Sequence, residues 1–176
     1  MRAENTAITF WLIPKEPERE LFREYIRILA ERFEAPKFEP HMTVGSGSFD
    51  TVRAEWILSQ VTKGQPQVRL KIRGIEYSDE YTKTLTVQFE ETGELQRLVG
   101  ALCEFGEAAG WHFDPHLSLI YQKMSMVEQQ EMARSVKFPF QDVLFDSIAT
   151  VACASPTETR EDVESWKVLA TRVLGD

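Results

Sequence analysis

Hydrophobic positions alternate over residues 7–13, AITFWLI. Ile8, Phe10 and Leu12 fall on one side of an extended chain, and Thr9, Trp11 and Ile13 on the other. That is the pattern of a strand with two differently used faces, stopped here by Pro14 and Pro17. From 17 to 33 the period becomes helical, through Leu21, Tyr25, Ile28, Leu29 and Phe33. Residues 37–48, KFEPHMTVGSGS, return to a short strand whose glycines read as a turn beside a groove. A second helix is predicted over 50–62 through Val52, Trp56, Ile57 and Val61, with Asp50 as its N-cap. Residues 66–77 and 82–90 form two strands of a hairpin. A third helix runs over 92–109 through Leu95, Leu98, Val99, Leu102 and Phe105, ended by Gly110. A strand follows in DPHLSLIY, 114–121, then a helix at 125–136 and strands near 141–153 and 165–174. The order βαβαββ, then αβαββ, implies an α+β fold with mixed or antiparallel sheets. No linker or low-complexity stretch divides the chain, so residues 1–176 read as a single domain.

Composition narrows the partners. The chain has 176 residues, is 43% hydrophobic and 27% charged, and carries a net charge of −8. It can bury a core, and disorder as the main state is excluded. The longest apolar runs reach about seven or eight residues, against the roughly 20 that a membrane span needs. Glu4 and Pro14 interrupt the start of the chain, which reads as lacking a secretory signal. Cys103 and Cys153, without CxxC spacing, read as buried apolar residues and fit a reducing cytoplasm. The acidic balance disfavours long nucleic acid as a tightly held partner, because counterion release needs a basic surface. A small anionic ligand remains compatible with it.

The chemistry sits in a short repeat. Pro40-His41-Met42-Thr43-Val44 and Pro115-His116-Leu117-Ser118-Leu119 share the pattern Pro-His-apolar-hydroxyl-apolar, and they hold two of the three histidines. Residues i and i+2 of a strand point to one face. His41 with Thr43, and His116 with Ser118, therefore project together while their apolar neighbours enter the core. Thr9 and Trp11 are placed to line the same groove, with Trp11 a candidate contact for a nucleobase. Alternation puts Tyr121 on the face of Leu117 and Leu119. Two imidazoles and two hydroxyls suit phosphodiester chemistry without a metal. One neutral ring takes a proton from water, a protonated ring gives one to the leaving oxygen, and hydroxyls hold the phosphate oxygens.

TFWLIP, FEPHMTVGS and PHLSLIY resemble the 2H phosphoesterase superfamily, and within it the cyclic nucleotide phosphodiesterase branch. The resemblance implies a bilobal fold: two pseudo-symmetric lobes of sheet, with outer helices, around a central cleft. It implies metal-free hydrolysis of a 2′,3′-cyclic nucleotide or of ADP-ribose 1″,2″-cyclic phosphate, with no cofactor. It maps His41 and Thr43 to one catalytic pair and His116 and Ser118 to the other, and Tyr121 to a phosphate-binding tyrosine. A monomer acting on a small cyclic phosphate is the expectation.

Other features have plainer readings beside functional ones. Arg69, Lys71 and Arg73 alternate with Val68, Leu70 and Ile72, first as a solvated strand face and second as a basic rim for a pyrophosphate. Tyr81 sits at the hairpin tip, either exposed or over the cleft. His112 reads as structural or solvated, and GSGS lacks the lysine of a P-loop. Three other functions compete. An RNA ligase or RNA-end phosphodiesterase of the same superfamily would want a basic approach surface. A non-catalytic nucleotide-binding module would not need both acid and base. A metalloprotein would need more than two histidines 75 residues apart, even with Glu39 and Asp114 beside them.

Overall fold

One long strand organises the chain. In the computed structural model, which describes residues 5–105 and 113–175, β6 (Asp142–Ser155) pairs antiparallel with β1 (Asn5–Pro14) along one side. Its other side is shared end to end. Residues 142–145 pair with β3 (Val68–Tyr77), and residues 147–152 with β7 (Lys167–Val173). The full order is β2-β1-β6-β3-β4-β5, with β2 at Met42–Gly47, β4 at Leu85–Phe89 and β5 at His116–Ile120. Every pairing is antiparallel.

That order is a palindrome about the β6–β3 junction. On one side lie β6, β1 and β2; on the other lie β3, β4 and β5. Each half runs strand, helix, strand, helix: β1, α1 (Glu18–Phe33), β2, α2 (Thr51–Thr62), and then β4, α3 (Gly93–Phe105), β5, α4 (Met126–Ser135). These are the two pseudo-symmetric lobes, and each histidine motif falls on the edge strand of its lobe. The helices cross between lobes. α1 packs on β5, α3 packs on β2, and β2 meets β5.

Local sequence accounts for most boundaries. The Asp50 carboxylate accepts the Arg53 N–H at 2.8 Å and caps α2 as expected. Ser125 and Glu128 form a capping box on α4. The hairpin connection contains a short 3₁₀ turn at Tyr81–Lys83. The predicted stop at Gly110 and His112 lie outside the described residues. A short helix, α5 (Arg160–Glu164), was not expected, although Thr159 and Asp162 supply its capping box.

Two helix faces differ from the expectation. α1 buries Phe22, Ile26, Leu29 and Ala30, while Ile28 is 47% exposed. Phe22 decides this by packing edge-on to Phe138 and Phe140 at 5.0 and 5.7 Å. α2 buries Ala54, Ile57, Leu58 and Val61, and leaves Val52 and Trp56 exposed. In both helices a second apolar stripe overlaps the first, and tertiary packing selects between them.

The glycines after the first motif are strand, not turn. The register shifts between Trp11, opposite Thr43, and Phe10, opposite Gly45. Val44 is thus the extra residue of a bulge, and the alternation restarts after it. Gly45 then faces α3, where an added Cβ would stand 3.3 Å from Leu102 Cβ.

Thr150 on β6 is fully buried, and its hydroxyl has no partner among the described residues. An unmade buried hydrogen bond costs more than an apolar group of the same shape. Thr150→Val should therefore stabilise the fold by about 1 kcal/mol, read as a rise in Tm of roughly 2–4 °C. A lower Tm would show that the hydroxyl is satisfied in solution.

Candidate active site

The two motif strands face one cleft of about 300 Å³, whose wall includes His41, Thr43, His116, Asp114, Thr82, Lys83 and Tyr121. His41 Nδ1 lies 2.7 Å from the Glu39 carbonyl, and His116 Nδ1 lies 2.7 Å from the Asp114 carbonyl. A carbonyl only accepts, so each Nδ1 carries the proton. Each ring is fixed by the backbone two residues before it, and Nε2 is left for a ligand. The proline between them holds that backbone extended.

The lobes then treat equal rings differently. His41 is 5% exposed and stacks on Trp11, with centroids 3.7 Å apart and planes 11° from parallel. Trp166, which follows α5, meets it edge-on at 5.7 Å, and Phe38 at 6.1 Å. Burial drives the His41 pKa down to about 4; the Glu39 carbonyl opposes this, and His116 adds to it. His116 is also lowered by burial, but the Asp114 backbone bond and carboxylate work the other way. Its Nδ1 stands 3.6 Å from Asp114 Oδ2, which Lys83 Nζ reaches at 3.3 Å.

Outside the cleft, Arg19 and Arg23 of α1 grip the Glu39 carboxylate at 3.0 and 3.1 Å. Burial works to raise that carboxyl, yet the two guanidiniums hold it below the usual range. The clamp ties the backbone that orients His41 to α1.

A family profile described as "Cyclic phosphodiesterase-like protein" matches residues 6–174. The chain belongs to the cyclic phosphodiesterase-like family, within the 2H phosphoesterase superfamily. A curated relative, the cyclic phosphodiesterase of Arabidopsis thaliana, is 23% identical, with 91% of each chain covered. Among solved structures, TT0787 of Thermus thermophilus shares the fold with a TM-score of 0.65 at 18% identity, covering 96% of this chain and 97% of its own. E. coli LigT complexed with 3′-AMP does so with a TM-score of 0.59 at 14% identity, covering 99% and 100%. Family membership points to a phosphodiesterase acting on a small phosphate-containing substrate. Among the described residues, no helix is long and apolar enough to cross a membrane.

The structure brings most of the predicted residues of this family site together. Trp11 lines the cleft, though one ring face is covered by His41. Tyr121 lies just past the end of β5, where alternation no longer binds it, and its ring turns to the cleft against Phe38 and Trp166. Burial raises its pKa, opposed by a hydrogen bond with Ser118. Ser118 stands a layer behind the wall, 3% exposed, donating its hydroxyl to the Thr82 carbonyl at 2.8 Å. Cys153 is buried and walls the cleft beside Thr9, its thiol pushed up to about 11 by burial.

Arg69, Lys71 and Arg73 are exposed on β3, with Lys71 paired to Glu90 and Arg73 to Glu76, so the solvated reading holds. Tyr81 is tilted against Tyr121 at 6.1 Å. Sequence reasoning missed Ser46, Thr82, Lys83 and Trp166, all on the wall. The bulge brings Ser46 in, a change no alternation rule carries. Trp166 had one signal, the capping box that announces α5 just before it. Among the described residues, no three of His, Cys, Asp and Glu are grouped to hold a metal.

The buried ring makes folding pH-dependent. His41 is neutral in the fold down to about pH 4, whereas in the unfolded chain it protonates near 6.5. The unfolded state binds the extra proton in that window, so stability falls as pH decreases. The loss from His41 should approach roughly 3 kcal/mol. Urea unfolding at pH 7, 6 and 5 should show the slope, and His41→Gln should remove most of it. An unchanged slope in the variant would take His41 out of the linkage.

Proposed function

We propose that this chain hydrolyses a small cyclic phosphate of the 2′,3′-cyclic nucleotide class by two-histidine acid–base catalysis without a metal. The observation that carries the reading is the matched pair of imidazoles. Each has Nδ1 committed to a backbone carbonyl, and the two face one cleft, His116 at the start of β5 and His41 immediately before β2. His41, held neutral by burial, is the base. It takes a proton through Nε2 as water attacks phosphorus. His116, whose charged form Asp114 supports, is the acid. It protonates the ribose oxygen as the P–O bond breaks. The product is a phosphomonoester, and proton exchange with solvent resets the pair.

Thr43 on the wall grips a non-bridging oxygen. Ser118 can donate to phosphate only by releasing Thr82. Trp11, Trp166 and Tyr121 offer an aromatic wall for the ribose and base. A cleft of about 300 Å³ and a net charge of −8 favour a small substrate over an RNA end. That LigT, which shares the fold, has been crystallised with 3′-AMP is in keeping with a nucleotide ligand.

Purified protein assayed on 2′,3′-cyclic AMP should turn over fully in excess EDTA. His41→Ala and His116→Ala should each lower kcat by roughly 10²–10⁴-fold. The roles separate with a p-nitrophenyl phosphodiester, whose leaving group needs no proton. His116→Ala should be much less impaired on it, and His41→Ala equally impaired on both. The reverse ranking would exchange the roles.

The pH profile follows from the same assignment. In the free enzyme the base must be neutral and the acid protonated, so kcat/KM should peak on the acid side of 6.5 and fall again near pH 4. A plateau extending to pH 9 would speak against a required imidazolium.

A further inference from the structure

Lys83 is the only lysine or arginine on the cleft wall among the described residues. Its ammonium and the His116 ring address the same atom, Asp114 Oδ2, at 3.3 and 3.6 Å. A carboxylate oxygen shared between an ammonium and an imidazole is contested: what one partner gains in charge compensation, the other loses.

The pair is only partly shielded, with Lys83 34% and Asp114 31% exposed. Such ion pairs are weakly held. The backbone beneath Lys83 is pinned, by contrast. Ser78 donates its hydroxyl to the Lys83 carbonyl at 3.0 Å, Ser118 donates to the Thr82 carbonyl at 2.8 Å, and Thr84 donates to the Gln122 carbonyl at 2.9 Å. The lysine side chain can therefore swing while the turn that carries it stays in place.

We propose that Lys83 and Asp114 form a ligand-operated lever on His116: Asp114 holds Lys83 in the free protein, and an anionic group entering the cleft draws the ammonium away, leaving the carboxylate to the imidazole alone. Lys83 is then an anion-binding residue and Asp114 a positioning residue that acts through His116. This rests on the proposed function only for the anionic nature of the ligand. A charge-assisted hydrogen bond to a phosphate oxygen is stronger than the half-exposed pair it replaces.

The direction of the effect follows from the groups around His116. These are Asp114 before its own strand, Lys83 and Glu80 from the hairpin connection, and His41 across the cleft. Arg73 on β3 is engaged by Glu76 at 3.1 Å, and Tyr121 is a phenol held neutral by burial. Lys83 opposes protonation of His116, while Asp114 and Glu80 favour it. When Lys83 leaves Asp114, the proton is held more tightly. Ligand binding thereby primes the acid.

The test is the NMR titration of the His116 ring in the full chain, with and without inorganic phosphate at matched ionic strength. It needs no turnover, so failure of the phosphodiesterase reading would leave its result standing. In free protein, Lys83→Met should raise the His116 midpoint and Asp114→Asn should lower it. Adding Lys83→Met to Asp114→Asn should move the midpoint by less than Lys83→Met does alone. Phosphate should move His116 upward by more in the parent than in Lys83→Met, and Lys83→Arg should restore the parent response. The phosphate Kd should weaken roughly tenfold in Lys83→Met, the loss of a hydrogen bond to a charged group.

Three results would overturn the lever. One is an identical His116 titration in parent and Lys83→Met. Another is a Lys83 effect that persists undiminished in the Asp114→Asn background. The third is a phosphate-induced shift that does not depend on Lys83.

Discussion

The site depends on holding two edge strands face to face. Among the described residues neither β2 nor β5 has a second strand partner, and an edge strand needs other support. Here each packs against the helix of the other lobe, α3 on β2 and α1 on β5. The crossing makes the lobes interdependent. It also explains why α1 buries the stripe through Phe22 and Ile26. That stripe faces a surface built from the far half of the chain, which a reading of local periodicity does not contain.

Pseudo-symmetry delivers two histidines with the same backbone bond, and the departures from symmetry give them different chemistry. Around His41 the ring contacts are Trp11, Trp166 and Phe38. Around His116 are Asp114, Lys83 and a face of β4 carrying buried Thr86 and Gln88. Gln88 donates to the Thr86 hydroxyl at 3.0 Å and accepts from Arg73 at 3.4 Å, so the buried amide is hydrogen-bonded at both ends. Burial lowers both rings, and only the hydrogen-bonded wall carries a carboxylate that works against it. Pairs of like groups in unlike surroundings are a general way to obtain an acid and a base from one residue type.

How much of this was legible in the sequence varies by residue. The motif strands were legible because a period of two, a scarce histidine and a repeated proline all coincide. The apolar stripe of α3 through Leu95, Leu98, Val99 and Leu102 was legible because the helix has only one. Ser46 was not, because a single bulged residue at Val44 reverses which side chains face the cleft. Lys83 appears in the sequence as one more surface charge and Asp114 as a carboxylate beside the second motif; only folding brings both Lys83 and His116 to one Asp114 oxygen. Ser118 sits where alternation puts it, yet its hydroxyl is turned to Thr82 rather than into the open cleft, because a nearby carbonyl competes for its proton.

The position of β6 bears on the order in which the protein can be built. β1 and β2 are made before the second lobe, but the strand that β1 leans on, residues 142–155, is translated after β3, β4 and β5. Trp166, which abuts the His41 ring, emerges later still. During synthesis the earlier lobe therefore waits, half-paired, for a partner made after the second lobe, while β3, β4 and β5 can already associate. The second histidine strand is ready for assembly before the first, and the centre closes only once residues 142–166 have followed.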